Sequence, residues 1–448
     1  MSDQDSSIAA VATPPGSGGI GVLRVSGPAA ADIATQLLGS VPQPRHAHFT
    51  TFRKANGQAI DQGLLLYFPA PHSYTGEDVV ELHGHGSPLL LDMLLQRVCE
   101  LGARLAQPGE FSARAFLNGK LDLLQAEAVA DLITAGSEAA ARAALRSLEG
   151  EFSRRVQQLQ DALTVLRVQI EAAIDFPEDD IDFLADPGLL QQHQALCKSL
   201  QKLLSEARHG AQLVAGLHVV IVGRPNTGKS SLFNALAACE RAIVTAVPGT
   251  TRDVIEVNLQ LDGVQLTLAD TAGLRDSNDP IEREGLRRTT QELARADLLL
   301  LISDKAHLEE DERALVTRVT GKECLSVLNK IDLDDTQPAR LEHDGKVRIA
   351  LSACTGAGLD LLRRELRQRA GAESAGEHTF SARSRHLLAL QRTLSAVLDT
   401  GQLLREQRAG ELVAEGLREA QQALGEITGK IIPDDLLGAI FSSFCIGK

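Results

Sequence analysis

The chain has 448 residues, 44% hydrophobic and 23% charged, with a formal net charge of −14. That length allows about two to four domains with cores of their own; the acidic balance argues against tight, autonomous nucleic-acid binding through phosphate contacts and leaves any nucleic-acid substrate to a local patch or a more basic partner, and no apolar run is long enough to span a bilayer. Six cysteines, at 99, 197, 239, 324, 354 and 445, have no paired spacing, which speaks against a disulfide framework or zinc site and for a reducing cytoplasm.

The start, Met1-Ser-Asp-Gln-Asp5, lacks a signal peptide's basic region. Residues 1–118 predict a mixed α/β domain, with strands at 20–25, 64–68 and 79–82 between Pro and Gly clusters and an amphipathic helix over 88–102. His83 and His85 have a spacing that permits a metal, but no Cys or third His lies nearby, so a structural or pocket role is expected. From Leu121 to Arg208 the composition turns to Ala, Leu, Glu, Gln and Arg, and Leu159, Leu163, Leu166 and Ile170 recur at helical spacing. The acidic cluster Asp175, Glu178, Asp179, Asp180 and Asp182 around Pro177 lacks a calcium loop's glycine and spacing and reads as a solvated helix break. Helical character returns over 386–429. The expectation is one helical domain in two parts, 119–210 and 376–448, interrupted by a nucleotide domain at 211–375 with an exit linker at 371–377.

The nucleotide domain opens on an apolar run at 219–222, then Gly223-Arg-Pro-Asn-Thr-Gly228-Lys229-Ser230, then a helix over 231–237. Strand, phosphate-binding loop and helix in that order let backbone N–H groups close around phosphate oxygens at a helix N-terminus. Lys229 then reaches the β- and γ-phosphates and the Ser230 hydroxyl ligates Mg²⁺. Gly249-Thr-Thr-Arg-Asp253 lies where a switch loop supplies a threonine, and Thr251 is assigned to Mg²⁺. Asp262-Gly263 reads as a hairpin turn, and the strand after it delivers Asp270-Thr-Ala-Gly273. Asp270 supports the Mg²⁺ shell, and the Gly273 N–H meets the γ-phosphate.

Buried strands follow at 298–302 and 325–328, the second ending in Asn329-Lys330-Ile-Asp332. A carboxylate here accepts the ring N–H and exocyclic amine of guanine; adenine would leave a buried Asp332 unpaired. After the strand at 347–351, Ser352-Ala353-Cys354 can offer a backbone N–H to the guanine oxygen. Five signals in order point to GTP. The expected nucleotide-binding set is Asn226, Thr227, Gly228, Lys229, Ser230 and Ser231; Thr245, Ala246, Val247, Pro248, Gly249, Thr250 and Thr251; Asp270, Thr271, Ala272 and Gly273; Asn329, Lys330 and Asp332; and Ser352, Ala353 and Cys354.

Leu274 stands where many small GTPases carry the glutamine that orients water, so hydrolysis is either slow or uses another device. Asn226 with the 245–250 segment can coordinate a monovalent cation beside the phosphates, and Glu282 can position the water. From spacing alone, Glu282 reads more simply as a first-turn helix carboxylate.

Ala12-Thr-Pro-Pro-Gly16, Gly18-Gly-Ile-Gly21, Tyr74-Thr-Gly-Glu-Asp78, Glu81-Leu-His-Gly-His-Gly86, Gly109-Glu-Phe-Ser112, Arg114-Ala-Phe-Leu-Asn118 and the closing Phe444-Cys-Ile-Gly-Lys448, with the GTP motifs, complete a pattern. The chain resembles the MnmE (TrmE) family of tRNA-modification GTPases along essentially its whole length. The GTP motifs alone would also fit ribosome-assembly GTPases; the two ends of the chain would not. The resemblance implies a multidomain α/β plus all-α fold: an N-terminal α/β folate-binding domain that forms a homodimer, a discontinuous helical domain, and an inserted Ras-like P-loop GTPase domain. It implies that Arg24, Glu81 and Lys120, with Lys448 from the tail, contact 5,10-methylene- or 5-formyl-tetrahydrofolate. A carboxylate suits the amino-pyrimidine of a pterin, and cations suit the glutamate tail; from the residues alone, Arg24 and Lys120 read as surface charges.

The resemblance further implies that Asn226, Thr245, Val247 and Thr250 bind K⁺ and that Glu282 is catalytic. It implies a heterotetramer with the flavoprotein MnmG that adds an aminomethyl or carboxymethylaminomethyl group to carbon 5 of the wobble uridine of certain tRNAs in the cytoplasm, with glycine or ammonium as nitrogen source. Cys445 stays open between a nucleophile brought to the folate site and a buried thiol. Two rival readings remain: a ribosome-assembly GTPase, which needs a basic RNA-binding segment that is not evident, and a GTP-regulated folate-dependent one-carbon transferase.

Overall fold

The computed structural model describes residues 6–175, 187–238, 255–261, 264–270, 293, 295–318, 322–334, 336–343, 346–369, 379–405, 410–429, 434–442, 444 and 447. Contacts divide the chain into two compact units: Met1–Ala130, Ser147–Leu200 and Leu388–Lys448 form one, and Asp131–Arg146 with Gln201–Leu387 form the other.

The first unit begins with β1 (Ile8–Val11), β2 (Gly18–Ser26), α1 (Ala30–Leu38), β3 (His48–Arg53), β4 (Ala59–Phe68), β5 (Val79–Gly86), α2 (Pro88–Glu100), β6 (Arg104–Leu105) and α3 (Glu110–Leu117). Its sheet runs β3-β4-β5-β2-β1-β6, antiparallel except for the β1–β6 pair. Leu23, Val25, Leu65, Val80 and Leu82 meet Ile33 and Leu37 of α1 and Leu94 and Val98 of α2 in one core. The three strands expected here are present, each longer than its apolar run. β4 extends back through Asp61 and Gly63 in register with β3, and a Cβ at Gly63 would stand 1.9 Å from the His83 carbonyl oxygen, so only glycine fits that close approach. The alanine-rich β1 carries little strand propensity and is held by partners on both sides.

Four helices follow: α4 (Leu123–Thr134), α5 (Glu138–Leu148), α6 (Glu151–Asp175) and α7 (Pro187–Ala215). In α6, Leu159, Leu163, Leu166 and Ile170 are buried, as their spacing predicts.

The second unit holds β7 (Leu217–Val222), α8 (Lys229–Ala238), β8 (Ile255–Leu261), β9 (Val264–Asp270), β10 (Leu298–Ser303), α9 (Leu308–Arg318), β11 (Glu323–Leu328), β12 (Ala339–His343), β13 (Lys346–Ala350) and α10 (Leu359–Arg369). The sheet runs β12-β13-β11-β10-β7-β9-β8, parallel in its five inner strands and antiparallel at both edges. Alternate residues face two cores: Val219, Ile221, Leu298, Leu300 and Ile302 pack on one side with α8 and α10, and Val220, Val222, Leu299 and Leu301 on the other. Burial on both faces explains why β10 reads as an unbroken apolar run. The chain leaves β7 toward β9 on one side and reaches β10 on the other, so the carboxyl end of β7 is the crevice where such sheets bind ligands.

Helices α11 (Ser384–Arg405), α12 (Gly410–Thr428) and α13 (Asp434–Ser442) complete the described elements. Within the first unit α12 packs along α6, burying Val413, Leu417, Ala420, Leu424 and Ile427. Gln421 accepts a hydrogen bond from Arg167 (2.5 Å) and donates one to Thr164 (2.6 Å). Ile440, Phe441 and Phe444 cluster with Leu123 and Ala126, which fixes the last turns of the chain. No helix among the described residues is long and apolar enough to cross a membrane.

Candidate functional site

The loop after β7 is shaped by two glycines that nothing else can replace. Gly223 has φ +155 and a Cβ there would meet the Ile302 carbonyl oxygen at 2.2 Å; Gly228 has φ +95 and its Cβ would meet Asn329 Nδ2 at 2.2 Å. Between them Asn226 takes φ +65, which a short polar side chain tolerates. The Lys229 ammonium is buried under the loop and donates to the carbonyl oxygens of Gly223 (3.0 Å) and Arg224 (2.9 Å). Thr227 Oγ1 donates to the same Arg224 oxygen at 2.9 Å. Helix α8 starts at Lys229, two residues earlier than the apolar pattern predicts, and Leu232 donates to Gly228 at 2.9 Å. The positive end of the helix therefore faces the loop.

Asn329, only 4% exposed, joins the parts. Its backbone N–H donates to Ser303 O (2.9 Å), its Nδ2 to Thr227 O (2.8 Å), and its Oδ1 accepts from the Ala353 N–H (3.0 Å). Lys330, itself at φ +66, donates from Nζ to Asn226 O at 2.7 Å. Ser352 is fully buried and its N–H closes the next turn onto Ala357 O (2.8 Å). Three separate stretches thus meet around a cavity of ≈ 240 Å³, lined by Gly228, Ser231, Asn329, Lys330, Asp332, Leu333, Ala353 and Cys354. Asp332 is exposed here rather than buried as the sequence reading expects. Ser230 is exposed beside the loop, and Asp270 ends β9 next to Ile221 of β7. Thr245, Ala246, Val247, Pro248, Gly249, Thr250, Thr251, Thr271, Ala272, Gly273, Leu274, Glu282, Cys445 and Lys448 lie outside the described residues.

The amino-terminal sheet holds a second cluster. Arg24 on β2 and Glu81 on β5 are register partners; the guanidinium donates to Glu81 Oε1 from Nε (3.0 Å) and Nη2 (2.8 Å). His83 Nε2 lies 3.2 Å from Glu81 Oε2. The Arg24 guanidinium sits 5.3 Å from the Tyr74 ring centroid and 5.9 Å from that of Phe111, and the Tyr74 and Ser112 hydroxyls share a hydrogen bond of 2.9 Å. The Arg24 and Glu81 side chains are 17% and 19% exposed, so Arg24 is not the surface charge that its sequence suggests. Lys120 is exposed and donates to Pro71 O at 3.1 Å, with its stem against Gly76 in the loop that carries Tyr74. His85 turns instead to Asp61, 2.7 Å away, whose carboxyl burial would raise but hydrogen bonds from His85 and Gln62 hold below the usual value. The penultimate Gly447 is buried against β1: a Cβ there would stand 2.4 Å from Val11 O.

Beneath lies a network that the sequence does not announce. Arg114, 5% exposed, donates to both Glu77 oxygens (3.1 Å each), to Glu110 (3.1 Å) and to Ser6 O (2.8 Å), while Ser26 donates to Glu77 at 2.7 Å. Its partners are up to 108 residues away in the chain, so no local pattern marks it.

Two family models match this chain: one described as the GTP-binding protein TrmE N-terminus over residues 7–120, the other as the MnmE helical domain over residues 123–445. The chain belongs to the MnmE family. Curated MnmE relatives, each called tRNA modification GTPase MnmE, span nearly its whole length. That of Nitrosococcus oceani is 53% identical over 443 residues, covering 98% of this chain and 97% of that protein. That of Stutzerimonas stutzeri is 54% identical over 449 residues, with 98% of each covered. The one from Methylococcus capsulatus is 52% identical over 447 residues, covering 100% of this chain and 99% of that protein. The two MnmE-family models meet at residues 121–122, just before α4 begins.

Proposed function

We propose that this chain is a K⁺-dependent GTPase that acts with the flavoprotein MnmG to modify carbon 5 of the wobble uridine in certain tRNAs, using a tetrahydrofolate one-carbon donor. That it is a GTP-hydrolysing, tRNA-modifying member of its family follows from near full-length identity above half with enzymes of that name. The observation that carries the nucleotide reading is Asn329, whose side chain ties the phosphate loop to the guanine-loop backbone around one cavity.

The residues fit the expected groups. A phosphate chain suits the Gly223–Gly228 cradle that a Cβ would fill, with Lys229 poised at its floor. Mg²⁺ would be held by Ser230 and Thr251 and neutralises phosphate charge; K⁺ would be held by Asn226, Thr245, Val247 and Thr250 and supplies the charge an arginine finger supplies elsewhere. Glu282 orients the attacking water in this reading. In the first unit, a half-buried Arg24–Glu81 pair between Tyr74 and Phe111 suits a flat, amino-bearing heteroaromatic ring, which a folate pterin is. Lys120 and Lys448 would hold the glutamate tail, and the docking of Gly447 on β1 supports a tail that ends near this sheet.

We further propose the division 1–118, 119–210, 211–375 and 376–448, homodimerisation through the first part, a heterotetramer with MnmG, and residence in the cytoplasm. Cys445 is needed for modification but not for GTP hydrolysis.

The test is to digest bulk tRNA from a strain lacking this protein and quantify wobble uridines by mass spectrometry. Loss of the aminomethyl-type nucleosides, restored by the wild-type gene but not by Cys445→Ser, is expected. Persistence of those nucleosides without a second gene copy would overturn the substrate assignment and turn attention to ribosomal subunit profiles.

A further inference from the structure

Arg224 sits inside the phosphate loop, and its backbone oxygen accepts from both Thr227 and Lys229 at 2.9 Å. Its side chain leaves the loop altogether. The guanidinium donates from Nε to Asp311 Oδ1 at 2.5 Å and from Nη2 to Glu310 Oε2 at 2.8 Å, both in the first turn of α9. Glu310 is 71% exposed, an ordinary rim carboxylate; Asp311 is 8% exposed and its other oxygen accepts from Ser303 Oγ at 2.5 Å. Ser303 ends β10, and its backbone oxygen is the acceptor for the Asn329 N–H at 2.9 Å. Asn329 in turn donates to Thr227 O at 2.8 Å. The path Arg224–Asp311–Ser303–Asn329–Thr227–Arg224 is a closed ring of hydrogen bonds. It passes through the phosphate loop, a neighbouring strand end, a helix outside the nucleotide motifs and the residue that holds the guanine loop.

A surface ion pair is worth little, but a buried carboxylate satisfied on both oxygens is costly to disturb. We propose that Asp311 and Arg224 are positioning residues for the guanine nucleotide: they fix the Arg224 carbonyl that holds Lys229 and close the ring that makes the phosphate and base ends of the site one unit. The assignment rests on the nucleotide reading above. Neither residue touches substrate; each acts through Lys229 and Asn329. Loss of the ring loosens binding of GDP and GTP alike, since Lys229 meets the β-phosphate and Asn329 holds the base loop, parts that both nucleotides share, and raises KM with kcat largely kept.

The experiment uses the full chain with fluorescent GDP and GTP analogues, comparing wild type, Arg224→Ala, Asp311→Asn, the double variant and Glu310→Gln. Arg224 is exposed, so Arg224→Ala reports even if Asp311→Asn folds poorly. Each ring variant is expected to raise Kd about tenfold, mainly through faster dissociation, with the double variant no worse than about twofold beyond either single one. Glu310→Gln stays within about twofold of wild type. Affinity in Arg224→Ala within about twofold of wild type, or effects of the two substitutions that multiply, would overturn the ring. A wild-type chain that binds no guanine nucleotide would overturn the nucleotide reading itself, and this assignment with it.

Discussion

A methyl group at residue 228 would stand 2.2 Å from the Asn329 amide nitrogen, at a backbone φ of +95 that side chains avoid. Gly228→Ala must therefore displace Asn329, breaking its bonds to Thr227 and Ala353 together, besides about 1–2 kcal/mol of backbone strain. It is expected to weaken GDP binding by more than about tenfold with the folded unit retained, as read by calorimetry and circular dichroism; unchanged affinity would mean that the loop opens without cost. Two thiols give a second reading at this scale. Burial, with the nearby Glu312 charge, pushes the Cys324 thiol up to about 11, so it is a poor nucleophile at neutral pH. Cys354 is exposed and lines the cavity. Alkylation mapped by mass spectrometry should reach Cys354 well before Cys324, and GDP should slow the labelling of Cys354 alone. Equal labelling of Cys354 with and without GDP would remove the base from this cavity.

Among elements, α10 is fastened by charge as well as by its apolar face. Glu365 is nearly buried and accepts from Arg340 of β12 (2.9 Å) and from Arg369 one turn on (2.9 Å). Burial pushes its carboxyl up, but the bonds from Arg340 and Arg369 outweigh it and hold the carboxyl below the usual glutamate range. A carboxyl lowered by folding stabilises the folded state above its unfolded pKa and loses that contribution as pH falls through the folded value. Glu365→Gln should thus lower Tm most at neutral pH, and the gap to wild type should narrow below about pH 4; a gap constant with pH would show that packing, not charge, is lost. Legibility in the sequence follows the same division between local and distant causes. The inner strands β7 and β10 announce themselves because burial on both faces demands unbroken apolar runs. β1, β3 and the first half of β4 do not, since partners across the sheet rather than their own residues hold Ala9, Thr51 and Gly63 extended. The phosphate loop is contiguous and could be read outright. Arg24 reads from the residues alone as a surface charge although its partner Glu81 lies 57 residues away, and Arg224–Asp311, 87 apart, left no sign. Pairings of that kind are set by register and by loop length, which no local window contains.

For the whole molecule the question is whether nucleotide turnover drives the tRNA chemistry or merely accompanies it. The chain passes between its two units after residues 130, 146, 200 and 387, and each passage falls within a helix, α4, α5, α7 or α11. A nucleotide unit threaded into the chain in this way is expected to act through its state, so blocking hydrolysis should block modification. Asp270→Ala, at the end of β9, should lower GTP hydrolysis by at least about hundredfold and abolish tRNA modification in a reconstituted reaction. Loss of both activities could still reflect damage at β9, so a gain-of-dependence variant decides the matter. In the proposed reading Asp332 is the acceptor of two donors from guanine; xanthine keeps the ring N–H but presents a carbonyl in place of the amine. Asp332→Asn supplies one acceptor and one donor, and should move nucleotide preference from GTP to XTP by at least about tenfold. If hydrolysis drives the chemistry, modification by Asp332→Asn will start only when XTP is added and will stop when a non-hydrolysable XTP analogue replaces it. Full modification with the analogue, or by Asp270→Ala with no measurable hydrolysis, would show that nucleotide occupancy suffices and that turnover only resets the enzyme.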